Sequence, residues 1–296
     1  MSAYQLGLYE KAMPGNLTLE EKLAAAGEAG YDFLELSIDE TDEKLARLDW
    51  TDSEVCALRR SIEQTGTPIR SICLSGHRRF PLGDPDAATR TRSLAIMEKA
   101  VRLAARLGAR VIQIAGYDVY YKPGDEATRA YFAENLARSV EIAAAHAVML
   151  AFETMETPFL NTVEKAVSWV DRIRSPYLAV YPDLGNITCA ADGDRNRVHA
   201  DLESGRGHIA ALHLKETKPG VFREVPYGSG HVDFAGGIQS AWNLGVRMYT
   251  AEFWWTGGVP YDGRAWKTLL HENARFLRGY FPADGASQEP VGLSKK

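Results

Sequence analysis

The chain has 296 residues, of which 45% are hydrophobic and 25% charged, and it carries a formal net charge of −5 at pH 7. This acidic balance gives no electrostatic reason to bind nucleic acid or an anionic membrane, and no apolar stretch approaches the length that spans a bilayer. Three widely spaced cysteines without a CxxC motif, Cys56, Cys73 and Cys189, indicate neither a disulfide framework nor a thiolate zinc site. We therefore expect a cytoplasmic protein with no nucleic-acid partner and no membrane partner.

Short apolar runs alternate with longer amphipathic stretches along the chain, a pattern typical of β/α units that build a parallel sheet. The predicted strands are Gln5–Leu8, Phe33–Ser37, Ile69–Leu74, Val111–Ile114, Met149–Glu153, Leu178–Tyr181, Ile209–Leu214 and Met248–Glu252. The predicted helices are Leu19–Ala29, Ser53–Thr65, Thr89–Leu107, Glu126–Ala145, Val163–Ile173, Asp194–Ser204, Gly237–Leu244 and Gly263–Arg278. Thr18 followed by Glu21 predicts a capping box at the first helix. Gly30, Gly66 and Gly108 predict C-terminal caps.

An open doubly wound sheet also alternates strands and helices, but it normally has five or six strands. The eight units, with polar residues repeatedly at strand ends, favour closure into a (β/α)8 TIM barrel. Because such a barrel takes about 250 residues as one domain, we predict a single-domain barrel over residues 1–282 and a flexible tail over residues 283–296. The long loops Ala115–Asp125 and Lys215–Asp233 are candidate active-site loops.

Four side chains that can bind a metal lie at or just beyond the ends of the last four predicted strands: Glu153, Asp183, His213 and Glu252. They are separated by 30, 30 and 39 residues, about one strand, one helix and their loops, so parallel strands would bring them to one end of the sheet. Each could instead be an ordinary strand-end residue that hydrogen-bonds to a loop. As a set of three carboxylates and one imidazole, they predict a site for one divalent metal ion, Mn²⁺, Mg²⁺, Co²⁺ or Zn²⁺.

Several segments between about Tyr4 and Arg278 carry a family resemblance: GLYEKAMP, SIDETDEKLARLDW, CLSGHRRFPLG, IQIAGYDVYY, YPDLGN, HLKET and FREVPYGSGHVDF. As a set they closely resemble the L-ribulose-5-phosphate 3-epimerases, also called L-xylulose-5-phosphate 3-epimerases, of the xylose-isomerase-like barrel group. The chain departs from the family pattern at Glu216, where Asp is usual after HLK, and at AEFWW, where IEMW is expected. Neither departure replaces one of the four predicted ligands.

The resemblance implies a metal-dependent isomerase that interconverts L-ribulose 5-phosphate and L-xylulose 5-phosphate in sugar catabolism. Such an enzyme removes the C3 proton beside the C2 ketone and returns a proton to the opposite face through an enediolate, so it needs two acid/base groups. Glu153 and Glu252 match the family's carboxylate pair and are expected to be both ligands and acid/base groups. Asp183 and His213 are then expected to be ligands only. A 3-epimerase of free ketoses is the nearest alternative, and an aldose–ketose isomerase is a more distant one.

Further residues are predicted to bind the substrate. Arg223 lies where the family holds substrate oxygens, although a surface ion pair is the alternative. Asn186 stands three residues after a predicted ligand, but Asn after Gly is also common in turns. The cluster His77, Arg78 and Arg79 could neutralise a phosphate, or it could form a structural loop tied to Asp84 or Asp86. Lys215 could bind phosphate at the end of the seventh strand or serve as a salt-bridge partner.

Two other functions fit these features less well. Metal-dependent hydrolysis at abasic DNA uses several metals, more histidine ligands and a basic groove. A non-catalytic sugar sensor would not need four chemically competent ligands. We expect a small sugar or sugar phosphate as the ligand, and a homo-oligomer, either a dimer or a tetramer, as the assembled state.

Overall fold

Eight parallel strands form the sheet of the computed structural model, which describes residues 3–257 and 263–282. Their bounds are β1 Gln5–Tyr9, β2 Phe33–Ile38, β3 Ile69–Leu74, β4 Val111–Ala115, β5 Met149–Glu153, β6 Leu178–Tyr181, β7 Leu212–Leu214 and β8 Met248–Ala251. Hydrogen-bonded neighbours follow the order β6-β5-β4-β3-β2-β1-β8-β7. The predicted barrel is confirmed, and the predicted tail over residues 283–296 lies outside the described residues.

The barrel closes between β6 and β7 through isolated bridges rather than a continuous ladder. One parallel bridge pairs Val180 with Ile209, and another pairs Asp183 with His213. Pro182 lies between the bridged positions, and proline has no N–H to donate to a neighbouring strand. Because the ladder is interrupted here, β7 begins three residues later than the predicted strand that starts at Ile209.

At least one helix follows each strand. The bounds of the helices are α1 Leu19–Glu28, α2 Asp42–Ala46, α3 Asp52–Thr65, α4 Ala87–Leu107, α5 Glu126–Ala145, α6 Val163–Ile173, α7 Leu184–Ala190, α8 Arg195–Ser204, α9 Phe234–Asn243 and α10 Trp266–Arg278. α5 and α6 match their predicted bounds, whereas the short α2 and α7 are additional to the predicted helices. Within residues 3–257 and 263–282, no helix is long and apolar enough to cross a membrane.

The predicted helix caps are confirmed and fix where several helices begin and end. The hydroxyl of Thr18 accepts a hydrogen bond from the backbone N–H of Glu21, and the Glu21 carboxylate accepts one from the backbone N–H of Thr18. Gly66 and Gly108 end α3 and α4 in the left-handed conformation, with φ of 67° and 79°. Gly30 adopts φ of 90° just after α1, a conformation that residues with a Cβ rarely adopt.

Alternate side chains of each strand point into the barrel, and this period positions the site. Near the start of the strands the inward side chains are small or apolar, as at Ala151 on β5 and Ala211 before β7. Two residues further along the same faces lie Glu153 and His213. On these two strands the inward side chain is an alanine first and a charged or ionisable residue at the carboxyl end.

Candidate active site and metal centre

Glu153, Asp183, His213 and Glu252 converge at the carboxyl end of the barrel. All four side chains are buried, and one ligand atom from each lies within 4.8 Å of the others. Nδ1 of His213 lies 2.9 Å from Oε2 of Glu252 and 3.6 Å from Oε1 of Glu153. The side chains are therefore close enough together to surround a single cation.

Three buried atoms of this cluster make no hydrogen bond of good geometry, namely Asp183 Oδ2, His213 Nδ1 and Glu252 Oε2, although Asp183 Oδ2 has an ion-pair contact with Lys215 Nζ at 2.8 Å. Buried polar atoms without a partner are costly to a fold. Carboxylate oxygens and an imidazole nitrogen together suit Mn²⁺, Mg²⁺, Co²⁺ or Zn²⁺. The donor set and its unsatisfied atoms thus fit the predicted divalent ion.

Lys215 brings a positive charge into direct contact with the cluster. Its Nζ lies 2.8 Å from Asp183 Oδ2 and 3.9 Å from Glu252 Oε2. Burial would lower the pKa of Lys215, but these carboxylates outweigh burial and raise it. Burial raises the pKa of Asp183 to about 7, against the opposing effect of Lys215. Burial would also raise the pKa of Glu252, but Lys215 and His213 outweigh it and lower that pKa.

The cluster remains short of positive charge. Burial would lower the pKa of His213, but Glu35 and Glu252 hold it well above its usual range. Metal binding requires all three carboxylates to be ionised, and in that state they outnumber the two positive charges of His213 and Lys215. A bound divalent cation would offset this repulsion between carboxylates.

A cavity of about 120 Å³ adjoins the cluster, and Glu153 and Glu252 both line it. The two carboxylates that are predicted to move protons therefore reach the same space. A larger cavity of about 480 Å³ lies at the opposite end of the strands, beside Met149 and His208. It contains none of the four clustered side chains, so the smaller cavity is the candidate active site.

The sequence model of the xylose isomerase-like TIM barrel family matches residues 23–280. The chain belongs to this family. It is 48% identical to a protein of Escherichia coli K12 named putative L-ribulose-5-phosphate 3-epimerase SgbU, over 86% of this chain and 90% of that protein. It is also 48% identical to L-ribulose-5-phosphate 3-epimerase UlaE of Salmonella heidelberg SL476, over 77% of this chain and 79% of that protein. The predicted resemblance to these 3-epimerases, which are isomerases, is confirmed.

The same barrel occurs in a crystal structure of D-allulose 3-epimerase from Methylomonas sp. in complex with D-allulose. The two structures superpose with a TM-score of 0.75 over 94% of this chain and 98% of the other, at 17% sequence identity. At that identity the likeness concerns the fold alone.

The structure of this xylose isomerase-like barrel separates the residues predicted to bind substrate. Asn186, Lys215 and Arg223 line the cavity, whereas His77 does not. His77 is buried with Nε2 3.1 Å from the carbonyl oxygen of Ser93, and burial lowers its pKa to about 4. Arg78, from the same predicted basic cluster, lines the cavity instead. Both residues lie in a 3₁₀ turn, in which successive side chains point about 120° apart.

Asn186 joins the cavity wall to the metal cluster. Its backbone N–H donates to Asp183 Oδ1 at 2.7 Å, and its side-chain Nδ2 donates to the carbonyl oxygen of Thr154 at 2.7 Å. Its Oδ1 is buried without a hydrogen-bond partner. The residue therefore orients one ligand and keeps one acceptor available beside the cavity.

Cationic side chains also line the cavity wall, namely Lys11, Arg78 and Arg223. Each forms an ion pair with an acid: Lys11 with Asp39 at 2.5 Å, Arg78 with Glu40 at 3.7 Å and Arg223 with Glu156 at 3.0 Å. The guanidinium of Arg78 also lies over the ring of Tyr120, 4.7 Å from its centroid. Arg223 therefore lines the cavity and also forms an ion pair, so the two interpretations of this residue do not exclude each other.

Glu35 belongs to the site but is absent from the residues predicted by strand-end position. It lies in the middle of β2 and is fully buried, with Oε1 2.7 Å from Nε2 of His213. Its sequence signal is an acidic residue inside an otherwise buried strand, FLELSI. Glutamate is almost never fully buried unless it is paired, so this position already indicates a partner inside the barrel.

Proposed function

We propose that this protein is a divalent-metal-dependent 3-epimerase that interconverts L-ribulose 5-phosphate and L-xylulose 5-phosphate. The observation that carries the proposal is the cluster of Glu153, Asp183, His213 and Glu252, with both glutamates on the wall of one cavity. The names of the relatives that are 48% identical to this chain over 77% or more of its length support the choice of substrate.

Inversion at C3 requires a base on one face of the carbon and an acid on the other. Glu153 ends β5 and Glu252 follows β8, and both side chains reach the cavity. A sugar carbon held between them can lose its proton to one carboxylate and regain a proton from the other. When bound, a divalent ion supplies Lewis-acid stabilisation of the negative charge on the sugar oxygens, worth several kcal/mol. Asp183 and His213 would hold that ion without exchanging protons with the sugar.

The cavity wall offers donors for the remaining oxygens of the substrate. Lys215 has three N–H donors, and only part of this capacity is used by Asp183. Lys11, Arg78 and Arg223 provide charges that would attract a phosphate group. We assign the phosphate of the substrate to this cationic part of the wall.

A 3-epimerase of free ketoses is the second candidate. The observation that favours it is that Lys11, Arg78 and Arg223 each already have a carboxylate partner. A phosphate would have to compete with these carboxylates, whereas a neutral sugar would not. The sugar named with the Methylomonas barrel, D-allulose, carries no phosphate, but that likeness concerns the fold alone.

The deciding experiment compares kcat/KM for L-ribulose 5-phosphate and free L-ribulose with Mn²⁺, Mg²⁺, Co²⁺ or Zn²⁺ added separately to metal-free protein. We expect the phosphorylated sugar to have the higher kcat/KM and turnover to require a divalent ion. A higher kcat/KM for the free sugar would replace the first proposal with the second. NMR analysis of the product distinguishes inversion at C3 from migration of the carbonyl, which an aldose–ketose isomerase would produce.

The cytoplasmic location and the homo-oligomeric state remain predictions. Light scattering coupled to size-exclusion chromatography measures the mass of the assembly directly. We expect a dimer or a tetramer, and the mass of a single chain, 32.7 kDa, would contradict that expectation.

A further inference from the structure

Glu35 lies within the barrel and reaches the metal cluster through His213. It is 178 residues away from His213 in the chain, and β2 and β7 are not neighbours in the sheet. Their 2.7 Å contact therefore crosses the interior of the barrel. The Glu35 side chain is fully buried, and ionised carboxylates are costly to bury without partners.

Two hydroxyl groups hold the other oxygen of this carboxylate. Oε2 of Glu35 accepts hydrogen bonds from Ser71 Oγ at 2.6 Å and from the Tyr181 hydroxyl at 3.1 Å. The Tyr181 hydroxyl also lies 2.6 Å from Thr250 Oγ1. With Oε2 held by these donors, Oε1 is directed at the imidazole and the carboxylate has little freedom to turn away.

The imidazole of His213 is fixed on two sides. The Tyr181 ring packs edge-on against it, with centroids 4.6 Å apart and planes at 66°. Nε2 faces the Glu35 carboxylate, which can only accept hydrogen bonds when ionised. Nε2 therefore keeps its hydrogen whether the imidazole is charged or neutral, and Nδ1, which faces Glu252 at 2.9 Å, is the nitrogen that must give up its proton when a metal binds.

We propose that Glu35 is a positioning residue for the metal: it keeps the hydrogen of His213 on Nε2, so that the lone pair of Nδ1 is available as a ligand. This inference rests on the metal dependence in the proposed function and adds a residue that touches neither metal nor sugar. A carboxylate behind a ligand histidine also makes the imidazole a better donor, and losing such a partner typically weakens metal affinity about 10- to 100-fold.

A purely structural role for Glu35 is the competing explanation, because its contacts join β2 to β3, β6 and β7. The two roles differ in what they change. A structural role alters the stability of the metal-free protein, and any loss of metal binding follows from that. A positioning role alters metal affinity in a protein whose metal-free stability is nearly unchanged.

The test is the Zn²⁺ and Co²⁺ affinity of Glu35→Gln, measured by competition with a chromophoric chelator, together with thermal unfolding of the metal-free protein. Gln can still accept from Nε2 but lacks the charge, so we expect a loss of about 10-fold, the lower end of that range. Ser71→Ala is the matched control, since it removes a bond to Oε2 and leaves Oε1 on His213. We expect a much smaller change in its metal affinity.

The outcomes separate this inference from the proposed function. No Zn²⁺ or Co²⁺ binding by the wild type would overturn the metal dependence itself. Wild-type affinity in Glu35→Gln would overturn only the role of Glu35, and so would equal losses of affinity and metal-free stability in Glu35→Gln and Ser71→Ala.

A spectroscopic measurement on the wild type keeps the inference testable if Glu35→Gln does not fold. In Zn²⁺-loaded protein labelled with ¹⁵N histidine, we expect His213 to carry hydrogen on Nε2 and zinc on Nδ1. Zinc on Nε2 would overturn the proposal. Because the readout is a chemical shift, it does not depend on turnover.

Discussion

Two buried carboxylate clusters at the same end of the barrel have opposite charge balances. Glu10, just after β1, is fully buried and lies 3.0 Å from Lys22 Nζ, 2.7 Å from Lys44 Nζ and 2.6 Å from Arg47 Nη1. The backbone N–H of Ser37 donates to the same carboxylate at 2.9 Å. Burial would raise the pKa of Glu10, but Arg47 and the lysines outweigh it and hold that pKa far below its usual range.

The cluster of Glu153, Asp183 and Glu252 is buried to a similar degree but has Lys215 and His213 as its only described cationic contacts. One acid meets three cations in the first cluster, whereas three acids share two cationic groups in the second. Burial alone therefore does not distinguish a structural carboxylate from a functional one. The deficit of positive charge, together with ligand atoms that make no hydrogen bond of good geometry, indicates that the second cluster is a cation site.

The largest effect is expected from Glu153→Gln and Glu252→Gln. Each change removes an acid/base group and weakens the metal site, so kcat should fall by about 10²- to 10⁴-fold or more. With metal saturating, C3 hydrogen exchange in D₂O should be lost from one epimer in one variant and from the other epimer in the other variant. Equal loss of exchange from both epimers in both variants would refute the assignment of two opposed bases.

Glu10→Gln should affect stability instead of chemistry. Removing one partner of a buried ion pair costs about 3–5 kcal/mol, because the cations stay buried without compensation. Urea unfolding should show this loss, whereas Zn²⁺ affinity of the folded variant should match the wild type. Glu153→Gln is the matched comparison, since it relieves repulsion between carboxylates and should not destabilise the metal-free protein. A large loss of metal affinity in Glu10→Gln would contradict the assignment of a structural role to Glu10.

The effect of Glu10→Gln on the free energy of unfolding should depend on pH. Because the pKa of Glu10 is lowered on folding, its contribution to stability is present above its ordinary value of 4.5 and declines as the pH falls towards the folded value. The difference in unfolding free energy between the wild type and Glu10→Gln should therefore shrink below about pH 4. A difference that grows on acidification would contradict the ion-pair explanation.

A divalent ion should stabilise the folded protein by binding at the second cluster. At 100 times its Kd, a bound ion raises the free energy of unfolding by about 2.7 kcal/mol. Asp183→Asn should lose most of this gain but keep the start of α7, because Asn also caps helices. Asp201→Asn is the control: Asp201 accepts from the first N–H groups of α6 and lies outside the cluster. Equal stabilisation of Asp183→Asn and the wild type by Zn²⁺ would show that Asp183 is not a ligand.

The smallest effect is expected at the cationic wall. A hydrogen bond to a charged group contributes about 1.5–3 kcal/mol, so Arg78→Met should lower kcat/KM for the phosphorylated sugar about 10- to 100-fold. Its kcat/KM for the free sugar should change little. Arg79→Met is the matched control, because Arg79 is half-exposed and paired with Asp42. Equal losses of kcat/KM with both sugars would show that the phosphate does not bind at this part of the wall.

Local sequence patterns determined most of the barrel and its four-residue cluster. Met149–Glu153 is a strand and Glu126–Ala145 a helix, as their periodicities predict. Glu153 and His213 stand two residues beyond inward alanines, so strand alternation alone directs both side chains into the barrel. These features are predictable because the hydrophobic period, the helix caps and the position of a residue at a strand end all depend on residues that are close together in the chain.

Contacts between distant residues decided the rest. Arg78 lines the cavity and His77 does not because the surrounding elements orient the short 3₁₀ turn that contains both residues. The sequence of two adjacent basic residues does not reveal that orientation. The Glu35 contact with His213 exists only because closure of the sheet brings β2 and β7 to face each other across the interior. Strand period places Glu35 inside the barrel, but its partner among the inward side chains depends on register and barrel radius, which are set by the packing of the whole chain.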